Sequence, residues 1–145
     1  MPVLERDPRQ HRRRSHHPGL SVHANLRPAA VGLVFAGGAA GTLVRAGVGE
    51  WLPHSPFSWA TFTVNMIGAF LLGGLTEALS QRAEDERLRR IRLLIGTGFC
   101  GGLTTYSAFA LDIHDAAPAV GALYAAATIL CGLVAALAGA LAVRR

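Results

Sequence analysis

The chain has 145 residues, about half of them apolar, and a net charge of +5 whose basic side is all arginine, since the 14 basic residues include no lysine. That length suits one domain, and its mean hydropathy is positive at +0.35. A nucleic-acid-binding face would set basic residues among polar ones on a folded surface. Here the arginines flank long apolar runs, as in membrane proteins.

Residues 1–27 are rich in Arg, His and Pro and lack an apolar h-region, so a disordered basic tail is expected there, not a signal peptide. Arg12-Arg13-Arg14, with His11, His16 and His17, suits a solvated tail near anionic headgroups better than a nucleic-acid or metal site. Residues 28–145 hold four apolar segments: about Ala29 to Val48, Phe57 to Leu79, Ile91 to Ile113 and Ala117 to Val143. Crossing a hydrocarbon core of about 30 Å takes about 20 helical residues. All four segments reach that length, and none has the charged face of a soluble bundle helix. The expectation is an all-α membrane protein with four spans per chain.

The arginines also predict orientation. Six lie in the N-terminal tail, five lie between Arg82 and Arg92, and Arg144 and Arg145 end the chain. The links WLPHSPF and DIHDAAP carry none. The positive-inside rule then puts both termini and the central link in the cytoplasm.

Within the third segment, residues 96–109 read GTGFCGGLTTYSAF, and the first six spell G-x-G-x-x-G. A dinucleotide loop needs a strand before it and a βαβ unit around it, and no segment is left to supply that sheet. Gly101-Gly102 weakens a helix, while Thr104, Thr105 and Ser107 place hydroxyls beside it. Irregular backbone at membrane depth survives only when buried in protein or lining a watery cavity. Small-residue helix packing explains Gly98-x-x-x-Gly102 and Gly37-x-x-x-Gly41 but not the adjacent TTYS, which points to ion handling. The two cysteines, Cys100 and Cys131, have no C-x-x-C spacing and are expected to be buried apolar residues.

Three motifs, one in each of the first three spans, carry a resemblance. GGAAGTLVR presents Gly37, Gly38, Gly41 and Arg45. TVNMIGAFLLG presents Asn65, Gly68 and Gly73, and GFCGGLTTYSAF follows in the third span. In this order they resemble the CrcB/Fluc fluoride channels. The resemblance implies an antiparallel dimer with two pores in a bacterial inner membrane. It also implies a third helix broken mid-membrane and a central sodium ion that is not transported. Carried onto this chain, the sodium ligands are the main-chain oxygens of Gly101 and Thr104, a donor type suited to a hard cation.

Fluoride is small and strongly hydrated, so a pore must replace its water with hydrogen-bond donors without forming a deep trap. The expected pore residues are Asn65, Thr105, Tyr106, Ser107, Phe109, Tyr124 and Thr128. Phe109 offers the positive rim of its ring, and Tyr124 and Thr128 lie four apart on one helical face. Arg45 reads equally well as an anion attractor in a vestibule or as a snorkelling interfacial anchor. Tyr106 stands where the family more often has Phe, Asp112 where Glu is common, and Gly132 where a hydroxyl often continues the track.

Subunits of an antiparallel homodimer must insert both ways, which a strong arginine bias opposes. The chain is therefore expected to pair with a homologous chain of opposite orientation. The rival readings are a four-span multidrug-type transporter and a non-conducting accessory subunit. The transporter would need a carboxylate at a span centre, yet Glu50, Glu77 and Asp112 lie toward the ends. No catalytic set converges within the spans, so an enzyme is not expected.

Overall fold

The computed structural model describes residues 28–52, 57–83 and 85–144. The expected tail over residues 1–27 lies outside the described residues, as do Arg145 and His54. Four helical spans are present: Pro28–Trp51, Trp59–Ser80, Glu86–Asp115 and Pro118–Val143. The first two are α1 and α2. The third is composite: α3 (Glu86–Ile91), a π-helical stretch (Arg92–Cys100), α4 (Gly101–Leu103) and α5 (Tyr106–Asp115). The last span is α6 (Pro118–Val143). No strand occurs among the described residues.

Local chemistry fixes the helix starts. Asp85 caps α3 by accepting from the Leu88 amide at 2.7 Å, an N-cap role suited to a short carboxylate. Glu86 in the first turn pairs with Arg89 at 3.1 Å and Arg90 at 3.2 Å. Pro118 opens α6, where its missing amide hydrogen would be unpaired anyway. At 24 residues, α1 is about 36 Å long at a rise of about 1.5 Å per residue, enough to span a bilayer.

Glycines set how closely the helices approach. A side chain at Gly37 would strike the Leu94 carbonyl, and one at Gly41 the Phe99 carbonyl. On the facing surface, a side chain at Gly98 would meet the Val34 carbonyl, and one at Gly102 the Gly38 carbonyl. Both small-x-x-x-small motifs thus join α1 to the third span backbone to backbone. Gly73 and Gly139 do the same between α2 and α6, against the carbonyls of Ala136 and Phe70. Arg144 reaches Glu77 at 3.5 Å, which places the end of α6 beside the end of α2.

The outer surface is apolar. Phe35 is 76% exposed and Leu133 70% exposed, a surface that belongs against lipid or another apolar chain. Cys100 is buried, but Cys131 is exposed on α6, contrary to the expectation that both are buried. Burial of free cysteine is a habit of proteins in water. On a membrane helix a thiol faces outward without meeting water.

Candidate functional site

The third span breaks at Thr104 and Thr105, just beyond the Gly101-Gly102 pair that weakens the helix. Thr104 has φ −78° and ψ 156°, and Thr105 has φ −147° and ψ 123°, so both are extended. Gly101 is helical at φ −65° and ψ −34°, and Gly102 serves the close approach to α1. β-branched threonine tolerates extended backbone well, and its hydroxyl can cap what the break exposes.

The exposed groups can be followed one at a time. A continuous helix would give the Gly101 carbonyl the Thr105 amide. That amide instead donates to Asn65 Oδ1 at 2.9 Å. Asn65 Nδ2 returns a bond to the Thr105 carbonyl at 3.3 Å. Likewise the Thr104 carbonyl would receive the Ala108 amide, which donates instead to Thr105 Oγ1 at 3.2 Å. Before the break, Cys100 O closes the last turn by accepting from the Thr104 amide at 3.0 Å and from Thr104 Oγ1 at 2.9 Å. The carbonyls of Gly101 and Thr104 therefore lose their helical donors to side chains. These are hard, neutral oxygens of the kind that suits a hard cation.

A groove of about 490 Å³ opens beside the break, lined among others by Asn65, Gly101, Thr104, Thr105, Tyr106, Phe109 and Thr128. Seven of the residues singled out from sequence thus share one wall. Ser107 lies outside that lining, with its hydroxyl 3.2 Å from Thr105 Oγ1. Tyr124 sits behind it, 2% exposed, with its ring centroid 5.6 Å from that of Phe109. Its hydroxyl donates to Asp112 Oδ2 at 3.3 Å. Arg45, one turn beyond Gly41 on α1, is not among the lining residues. Thr128 is 7% exposed, and its Oγ1 is buried without a partner among the described residues. It lies beside the Tyr124 hydroxyl, whose oxygen is free to accept once its proton is on Asp112.

The family described as "CrcB-like protein, Camphor Resistance (CrcB)" matches residues 32–140. The chain belongs to the CrcB family. That match takes in the glycine motif of α1, the Asn65 clamp, the broken third span and most of α6. A "Fluoride-specific ion channel FluC 2" of Leifsonia xyli is 51% identical over 113 residues, covering 74% of this chain and 78% of the relative. A "Fluoride-specific ion channel FluC 1" of Cutibacterium acnes is 45% identical over 89 residues, 59% of this chain and 62% of the relative. A "Fluoride-specific ion channel FluC" of Rhizobium johnstonii is 41% identical over 120 residues, 78% of this chain and 94% of the relative.

Three residues near this CrcB groove were not among those singled out. Thr61 is 8% exposed, accepts from Ser58 Oγ at 3.1 Å and lies beside the Tyr124 hydroxyl. Its spacing of four from Asn65 puts it on the same face of α2, a signal the sequence held. Asp112 was noted as a departure from the family and as a carboxylate near a span end, yet it is the acceptor for Tyr124. Phe57 carried no sequence signal.

Proposed function

We propose that this CrcB chain forms a fluoride-specific channel through which fluoride leaves the cytoplasm passively. The observation that carries this reading is the groove at the break, where neutral donors face an open path at membrane depth. Asn65 Nδ2 has two protons and gives one to the Thr105 carbonyl; the other can bind an anion. Thr128 adds a hydroxyl to the groove lining, and Tyr106 and Phe109 supply ring edges. Thr105, Ser107 and Tyr124 extend the run of hydroxyls on either side. Neutral donors suit fluoride because they replace its water without the trap that a fixed cation would create. The printed names of the relatives point to the same ion.

A sodium ion fits the break. The main-chain oxygens of Gly101 and Thr104 are the atoms that would hold it, as a resident ion that is not transported. When bound, it supplies positive charge that offsets the carbonyl dipoles. The chain's own part is to keep those oxygens turned out of the helix, through Asn65 and the Thr105 cap.

The assembly proposed is an antiparallel dimer, the arrangement that the resemblance to the CrcB/Fluc channels implies. Both termini are proposed to lie in the cytoplasm of a bacterial plasma membrane, following the arginine bias. The same bias favours a homologous partner of opposite orientation. Terminal reporter tags should show this chain alone inserting one way only. A nearly even split between the two orientations would refute the heteromeric pairing.

Growth of a fluoride-sensitive strain tests the function. The chain, co-expressed with a neighbouring homologue of opposite orientation, should restore growth in fluoride. No rescue, with both proteins present in the membrane, would count against a fluoride pathway.

A further inference from the structure

Phe57 precedes α2 and belongs to none of the four spans, yet its ring centroid is 4.9 Å from that of Tyr124, with the planes at 88°. Trp59 at 4.5 Å and Phe62 at 5.5 Å fix Phe57 from the other side. Tyr124 is thus held between two rings, Phe57 edge to face and Phe109 tilted at 42°. An edge-to-face ring constrains orientation as well as filling space.

The orientation has a consequence. Held as it is, Tyr124 donates its hydroxyl proton to Asp112 Oδ2. Asp112 is a half-buried acid near the end of the third span, and a bare carboxylate there would repel an anion approaching the groove. Coulomb repulsion at about 4 Å is large wherever water is partly excluded. A donor on the carboxylate oxygen holds that group in place and partly offsets its charge.

We propose that Phe57 is a positioning residue for anion passage, acting through Tyr124 to keep the Asp112 carboxylate engaged. The inference rests on the fluoride reading above and adds Phe57, two residues before α2, to the residues that shape the pathway.

Fluoride efflux per assembled channel in liposomes tests the inference, with chloride efflux measured in parallel. Phe57→Leu keeps the apolar bulk but removes the ring edge, and should lower fluoride efflux about two- to tenfold, the range set by one aromatic pair. Phe57→Tyr should conduct nearly as well as wild type. In a Tyr124→Phe or an Asp112→Asn background, Phe57→Leu should cost nothing further, because residues acting in one chain of contacts are not additive. If Phe57→Leu does not assemble, Phe57→Met carries the same comparison. Wild-type efflux from Phe57→Leu, or losses that simply multiply in both backgrounds, would overturn the positioning role and leave the fluoride reading intact. A wild-type assembly that passes no fluoride would remove both.

Discussion

Replacing Asn65 by Asp is expected to cut fluoride efflux at least about a hundredfold while leaving the protein folded. The carboxylate keeps an oxygen for the Thr105 amide, now held at 2.9 Å, so the break stays capped on that side. It loses both amide protons, the one given to the Thr105 carbonyl and the one proposed for the anion. It also sets a negative charge on the groove wall. Two unit charges about 4 Å apart repel by about 4 kcal/mol at an effective dielectric constant near 20, more than the loss of one hydrogen bond. Asn65→Ala should behave differently. It leaves the Thr105 amide and carbonyl unpaired at membrane depth, each at about 1–3 kcal/mol, so the yield of monodisperse protein should fall along with flux. Efflux of wild-type magnitude from folded Asn65→Asp would show that Asn65 serves the backbone alone.

The largest effect on stability is expected at Gly41. A valine there would place its Cβ on the Phe99 carbonyl and 2.7 Å from the Leu103 amide nitrogen. Both are backbone atoms, which cannot rotate aside as a side-chain tip would. Overpacking a core commonly costs about 1–3 kcal/mol, and a clash against backbone on two sides belongs at or above the top of that range. Gly47 is two turns along the same helix, with nothing within 4 Å of its would-be Cβ. Gly41→Val should therefore lose most of its monodisperse protein in detergent and melt at a lower temperature, while Gly47→Val stays close to wild type. Equal behaviour of the two variants would mean that α1 does not pack on the third span through its glycines.

Much of the architecture could be read from sequence because lipid imposes simple demands. Twenty apolar residues without a charged face have few alternatives to a membrane helix. The presence of a break follows from the resemblance, but its position could not be read. Gly101 and Gly102 look like the weak point, whereas Gly102 is needed where α1 approaches, and the chain opens at Thr104 and Thr105. What decides the position is a side chain 40 residues away in sequence, Asn65, which takes the Thr105 amide and bonds its carbonyl. No spacing rule discloses such a pair. Asn65 was read only as an anion donor, and the backbone clamp is a second role. The nine-residue π-helical stretch from Arg92 to Cys100 had no sequence signal, since its residues suit an α-helix equally well. Tyr124 was placed in the pore by its hydroxyl and by the resemblance, and its spacing puts it on one face with Thr128. That spacing says nothing of Phe57 and Phe109, which hold its ring, or of Asp112, which takes its proton.

The central claim is that neutral donors gathered at an interrupted helix conduct fluoride and little else. Liposomes loaded with potassium fluoride and carrying the assembled channel test it most directly, read with a fluoride electrode. Fluoride should stay inside until a potassium ionophore balances the charge, and then leave rapidly and independently of any pH gradient, while chloride under the same conditions stays. Fluoride efflux no faster than from protein-free liposomes, or efflux that a proton gradient drives, would contradict the account.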